Sequence, residues 1–164
     1  VGALEIWNAR PCPHQNPLWC ENQQRASTTD SRTWSGFLTV CDLITQHPST
    51  YAGIGFVFNA DDPYVGIDFD DCLEEGELKP WARELVDLMQ PTYTEISPSG
   101  NGIKMWIKAD KTRSESRKPV GDGGIEIYDQ GRFLRSLASC SVKLQPLLRI
   151  KLDWTDWCEK YGAI

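Results

Sequence analysis

Two aspartates, Asp68 and Asp70, lie two residues apart in the apolar run Tyr64-Val-Gly-Ile-Asp-Phe-Asp70. With the two-residue period of a strand, both carboxylates project from one face, about 7 Å apart at roughly 3.4 Å per residue, while Ile67 and Phe69 turn to the core. Like charges on one face repel, so the pair has no structural merit of its own. It becomes favourable when a hard divalent cation, which prefers oxygen ligands, lies between the two groups. Taken alone, such a pair is also what a solvated edge strand looks like, or a strand that ends as Asp70-Asp71 opens a loop. A third carboxylate, Glu126, alternates with isoleucine in Ile125-Glu-Ile-Tyr128 and would close a three-carboxylate cluster. By itself it marks only an exposed strand face.

The segment Ser97-Pro-Ser-Gly-Asn-Gly-Ile-Lys104 is dense in glycine and serine. Turns of this kind aim backbone N–H groups at phosphate, and Lys104 adds a point charge where the next strand begins. Pro-Ser-Gly is also ordinary turn chemistry. From Asn101 to Pro119 there are six basic residues (Lys104, Lys108, Lys111, Arg113, Arg117, Lys118) against Asp110 and Glu115. A basic loop beside an acidic metal site suits a polyanionic substrate.

The elements that must position these groups follow from pattern. Glu5 to Gln24 reads as loop with one short strand. Ser27-Thr-Thr-Asp30 opens a helix capped by Thr29 or Asp30, with Trp34, Phe37, Leu38 and Cys41 on its buried face and Pro48 beyond its end. Gly53–Phe58 and Tyr64–Asp70, joined by Asn59-Ala-Asp-Asp-Pro63, have the signature of a β-hairpin. Pro80 to Gln90 reads as a helix with Pro80 in its first turn and Trp81, Leu85, Leu88 and Met89 inward. Tyr93–Ile96 and Ile103–Ala109 form a second strand pair, Asp110–Gly124 a mobile loop, and Ile125–Tyr128 with Arg132 onward a third hairpin. Hairpins with interspersed helices imply an α+β fold on an antiparallel sheet.

Composition bounds the function. The 164 residues fit one domain, with 40% apolar and 10% aromatic residues, enough for a core. No run approaches a membrane span and no signal opens the chain, so no membrane association is expected and the protein is read as cytoplasmic. A net charge of −6 argues against coating nucleic acid by bulk positive charge, but not against a metal-dependent enzyme. Asp61 to Glu77 alone carries eight carboxylates and no basic residue, so the rest of the chain sums to +2. The six cysteines have no CxxC spacing, and His14 and His47 fall near no cysteine pair, so zinc is improbable and the cysteines read as reduced intracellular thiols.

In their order, these pieces resemble the archaeo-eukaryotic primase superfamily, specifically the bifunctional primase–polymerase domains of phages, plasmids and mobile elements. The matching residues are Tyr64-Val-Gly-Ile-Asp-Phe-Asp-Asp71, Tyr93-Thr-Glu-Ile-Ser-Pro-Ser-Gly-Asn-Gly-Ile-Lys104, and Ile125-Glu-Ile-Tyr-Asp129 with Gly131-Arg-Phe133. Ala26-Ser-Thr-Thr-Asp30, Trp34 and the Gly53–Phe58 strand extend the likeness, which covers about residues 26 to 133. The resemblance implies an α+β catalytic core on an antiparallel RRM-like sheet with flanking helices and a small N-terminal α/β portion. It implies DNA primase/polymerase activity, joining dNTP or NTP on a single-stranded DNA template. Two Mg²⁺ or Mn²⁺ ions would be held by Asp68, Asp70 and Glu126. Ser97, Ser99, Gly100, Asn101, Gly102 and Lys104 would hold the triphosphate, with Arg132 a further phosphate contact. A helicase domain would accompany this one in a longer replication protein.

Two departures stand out. Many members place histidine at the position of Lys104; a lysine still binds phosphate as a permanent cation but forfeits any role of a neutral imidazole. After Phe133 the family usually continues as Phe-Thr-Val-Thr-Gly, where this chain reads Leu134-Arg-Ser-Leu-Ala-Ser-Cys140. Losing one base from a coding run for Phe-Phe-Ala-Val-Thr-Gly-Glu-Leu produces this chain's Phe133–Cys140. The expectation is therefore a catalytic domain over residues 1–133 and a tail over 134–164 that is out of frame. The rival readings are a truncated or inactive homologue that binds nucleotide or single-stranded DNA, a metal-dependent nuclease on the same carboxylates, and a sheet platform with exposed aromatics.

Overall fold

The computed structural model describes residues 3–8, 17–18, 24–89, 92–109 and 117–136. In chain order the elements are β1 (Ala3–Asn8), β2 (Pro17–Leu18), a 3-10 turn (Ser31–Thr33), α1 (Phe37–Gln46), β3 (Tyr51–Phe58) and β4 (Tyr64–Asp70). There follow β5 (Leu73–Glu74), β6 (Glu77–Leu78), α2 (Pro80–Leu88), β7 (Thr94–Ile96), β8 (Ile103–Lys108), β9 (Arg117–Val120), β10 (Gly123–Tyr128) and β11 (Arg132–Ser136). Among the described residues, those before Pro63 and from Gln130 onward form one compact unit, and those from Pro63 to Asp129 form another.

The first unit is a four-stranded antiparallel sheet in the order β11–β3–β1–β2 with α1. Val40, Cys41, Tyr51 and Ile54 make its core, with Leu18, Leu43 and Ile44 against them. The helix expected from Ser27 onward breaks in two. Asp30 caps only the 3-10 turn, through its side chain on the Arg32 amide. Trp34 folds back and donates its indole N–H to the Ser27 carbonyl at 2.6 Å. α1 then restarts after Gly36, and Val40 and Cys41 face inward while Leu38 is 76% exposed.

The second unit carries the five-stranded antiparallel sheet β7–β8–β4–β10–β9, with the small β5–β6 hairpin beside it. β4, α2 and β7 form a split β-α-β unit with β8 between the two parallel strands. This is the order of an RRM-like sheet. Alternation along the strands sends Val65, Ile67 and Phe69 of β4, Ile103, Met105 and Ile107 of β8, and Ile125 of β10 to one face. There they meet Ala82, Leu85, Val86 and Met89, a stripe at helical spacing on α2. Burial of each large side chain contributes about 1.5–3 kcal/mol, so this single layer of contacts fixes which face of β4 is left for polar groups. Leu88 lies off the stripe and is 59% exposed, against the inward orientation read from sequence.

The α+β fold on antiparallel sheets is as expected, and so is the β7–β8 pair joined by its tight turn. Two expected hairpins do not form. β3 pairs with β1 and β11 whereas β4 pairs with β8 and β10, so the two runs belong to different sheets. Likewise β10 pairs with β4 and β9, and β11 with β3. The stretch expected as one loop from Asp110 to Gly124 contains β9, an edge strand that pairs with β10; residues 110–116 lie outside the described ones. Of the doubtful tail, residues 134–136 continue β11, with Leu134 buried, and residues 137–164 lie outside the described ones. Cys41 and Cys72 are buried and form no disulfide. Among the described residues, no helix is long and apolar enough to cross a membrane.

Candidate active site

With the hydrophobic residues of β4 turned to α2, Asp68 and Asp70 share the opposite face. Register then lines up a charged row across all five strands. Glu95 of β7 stands opposite Lys104 of β8, Lys104 opposite Asp68, Asp68 opposite Glu126 of β10, and Glu126 opposite Arg117 of β9. Cross-strand neighbours on one face interact directly, and here they do. Lys104 Nζ donates to Asp68 Oδ2 at 2.6 Å, with the two side chains only 6% and 10% exposed. Asp68 Oδ1 is also buried and has no hydrogen-bond partner. Glu126 accepts from the Tyr128 hydroxyl at 2.7 Å on Oε2, and Arg117 Nε lies 3.3 Å from its Oε1. At the far end, the Tyr93 hydroxyl donates to Glu95 Oε2 at 2.9 Å.

Asp70 lies one same-face position further along β4, opposite Gly124. Burial first, and then the negative charges of Asp68 and Glu126, hold its carboxyl above the ordinary aspartate range, while Lys104 and Arg117 pull weakly the other way. β10 comes very close to this strand end: a Cβ on Gly123 would stand 2.3 Å from the Asp70 carbonyl oxygen. That approach needs glycine, and it holds the third carboxylate next to the first two.

The Ser97–Gly102 turn is tied to the same strand end. Ser97 N–H donates to Gly102 O at 2.8 Å and Gly100 N–H to Ser97 O at 2.9 Å, with Gly100 in the left-handed region at φ +83°. The hydroxyls of Ser97 and Ser99 lie 2.7 Å apart, Ser99 donates to Asn101 Oδ1, and Asn101 Nδ2 donates to Asp71 Oδ1 at 2.5 Å. Leu73 N–H donates to Asn101 O. A Cβ on Gly102 would come within 2.5 Å of the Phe69 carbonyl oxygen, so turn and acidic strand are packed backbone to backbone.

The structure thus brings Asp68, Asp70, Glu126 and Lys104 to one face, and places Ser97, Ser99, Gly100, Asn101 and Gly102 in the turn at its end. Lys104, expected to reach a triphosphate, has its ammonium on Asp68. Arg132 is an exposed residue of β11, in the other unit, opposite Phe58, and is described only there. Arg117 was read from sequence only as one of a basic stretch, and Tyr128 and Glu95 had no role assigned; the alternation Glu126–Tyr128 is the sequence signal for Tyr128, whereas Arg117 and Glu95 join the row through strand register. Trp106, edge-to-face with Tyr93 at 5.3 Å, is 7% exposed, so the largest aromatic of this face is not offered as a stacking platform.

The chemistry of the donor set fits a divalent cation. Three carboxylates share one face, one is driven toward its neutral form by burial and then by the other two, and one buried oxygen is unclaimed. Among the described residues, no three acidic, histidine or cysteine side chains already stand grouped to hold an ion. An ion would have to draw Glu126 from Arg117 and Tyr128.

No family model matches the chain. It is 32% identical over 117 residues to the DNA Primase-polymerase of Nitratiruptor phage NrS-1, a match that covers 69% of this chain and 16% of that protein.

Proposed function

Because the chain belongs to the DNA primase–polymerase family, we propose that the charged face of its five-stranded sheet performs nucleotidyl transfer in template-directed DNA synthesis. The chain spans 16% of the relative's length, so this activity is proposed for one part of a larger enzyme's work. The observation that carries the reading is that Asp68, Asp70 and Glu126 lie on one face of neighbouring strands, with a buried Asp68 oxygen left without a partner.

In this reading Asp68, Asp70 and Glu126 hold Mg²⁺ or Mn²⁺, which when bound would acidify the attacking 3′-hydroxyl and offset charge on the departing pyrophosphate. Lys104, through its ion pair with Asp68 Oδ2, fixes that carboxylate in place. The Ser97–Gly102 turn, locked to the strand end through Asn101 and Asp71, receives the triphosphate of a dNTP or NTP. Arg117, 69% exposed on its side chain, is the cation beside Glu126 that a phosphate can recruit. Single-stranded DNA is the template.

The test is extension of labelled dNTP on a single-stranded template with Mg²⁺ or Mn²⁺, by wild type and Asp70→Ala. Synthesis by the wild type and its loss by more than about a hundredfold in the variant support the reading. Shortening of the template would replace it with a nuclease. Nucleotide or DNA binding without synthesis, unchanged in Asp70→Ala, would make the chain an inactive homologue.

A further inference from the structure

This face already contains a fixed cation at the oxygen a metal would use. Lys104 is held by register opposite Asp68, its side chain is 6% exposed, and its ammonium sits 2.6 Å from Asp68 Oδ2. The two oxygens of Asp68 are therefore unequal: Oδ2 is taken by an internal ammonium, and Oδ1 is buried with no partner. The ammonium cannot leave without stranding a carboxylate and itself in a buried place. Counting Asp70 beside the row, the carboxylates of Asp68, Asp70, Glu126 and Glu95 and the cations Lys104 and Arg117 sum to a formal charge of −2, the charge matched by a single divalent cation.

We infer that Lys104 stands in for one divalent ion at Asp68, so that without nucleotide the site takes up a single Mg²⁺ or Mn²⁺, on the Oδ1 side of Asp68. The inference rests on the metal-dependent reading above and deepens it: a second ion enters only with the charge of a triphosphate. Lys104 is a positioning residue in this scheme, since it touches neither substrate nor metal but decides how many ions Asp68 accepts.

The test counts Mn²⁺ bound to the metal-stripped 164-residue chain without nucleotide, from the loss of the free-ion electron paramagnetic resonance signal. The wild type is expected to bind a single equivalent, and so is Lys104→Arg, which keeps the cation. Lys104→Met is expected to take up a second equivalent or to bind the first at least about tenfold more tightly, because a fixed positive charge has left the site. Two equivalents on the wild type overturn the inference, as does a Lys104→Met protein unchanged in both count and affinity. If Lys104→Met fails to fold, the wild-type and Lys104→Arg counts still decide. Asp70→Asn separates the two levels. Mn²⁺ binding that is unaffected by it removes the metal reading itself. Binding weakened by it, with two equivalents on the wild type, removes only the role given to Lys104.

Discussion

Replacing Asp68 by alanine deletes one half of a buried ion pair and leaves the Lys104 ammonium in a place only 6% exposed. At 2.6 Å the gross attraction is about 6 kcal/mol with an effective dielectric constant of about 20. Desolvating the two ions costs several kcal/mol each, so the pair as a whole contributes little net stability. The partner left behind keeps its desolvation penalty without the attraction. Asp68→Ala and Lys104→Met are therefore each expected to destabilise the metal-free protein by about 3–5 kcal/mol. At this chain length that lowers the melting temperature by roughly 6–20 °C. The double variant Asp68→Ala/Lys104→Met removes both charges and is expected to recover most of the loss, a coupling well above the few tenths of a kcal/mol of independent sites. Urea unfolding in EDTA, followed by circular dichroism, measures all four proteins. Single variants that each cost under about 1 kcal/mol would place the pair among exposed ion pairs. A double variant as unstable as the sum of the singles would show that the two groups do not share an interaction. Either result refutes the reasoning.

Asp70 makes stability depend on pH. Its folded-state carboxyl is held above the ordinary range by burial and by Asp68 and Glu126, so it favours the fold below its unfolded value of about 3.9 and loses that contribution as pH rises through the higher folded value. Asp70→Asn is expected to melt higher than the wild type in EDTA near pH 7 and to converge with it in acid; thermal melts across that range check this, and an equal or lower melting temperature at neutral pH contradicts it. Gly102→Ala puts a Cβ 2.5 Å from the Phe69 carbonyl oxygen and 3.1 Å from Ser97 Oγ, so it is expected to cost about 1–3 kcal/mol by overpacking, read from the same urea curves.

What was legible in the sequence was what short range decides. The Ser97–Gly102 turn closes on itself through Ser97 and Gly102, so β7 and β8 pair as read. The alternation Val65, Ile67, Phe69 fixed the face of Asp68 and Asp70 before any partner strand was known. Strand partners were not legible. Asn59–Asp62 looks like a hairpin turn, yet its groups satisfy one another, with Asn59 Nδ2 on Asp62 Oδ2 and Asp61 N–H on Asn59 Oδ1, and the chain leaves for a different sheet. Gly131, at φ +61°, turns its N–H to the Phe58 carbonyl and so starts β11 on β3 rather than back along β10. β9 was hidden by composition: Arg117-Lys-Pro-Val120 reads as loop, but an edge strand tolerates both charge and proline. The Lys104–Asp68 contact needed register, because nothing within either strand's own sequence says which residues face each other.

Register also changes what the charge of the chain means. Of the eight carboxylates between Asp61 and Glu77, only Asp68 and Asp70 are on the face of the row; Asp61, Asp71, Glu74, Glu75 and Glu77 are exposed. Of the basic residues from Asn101 to Pro119, Lys104 and Arg117 are spent within the row, and Lys108 lies over the Tyr64 ring at 5.9 Å. Among the described residues, these three cations are thus not a free field for a polyanion beside an acidic site. Two of them, Lys104 and Arg117, are interleaved with the carboxylates, one on each side of the Asp68–Glu126 pair, and they bring the face close to the charge that one divalent ion cancels. A triphosphate approaching such a face finds little net attraction until it recruits Arg117 or carries an ion of its own. Under the proposed metal-dependent function, the charge pattern would tie metal uptake to nucleotide binding without any moving part.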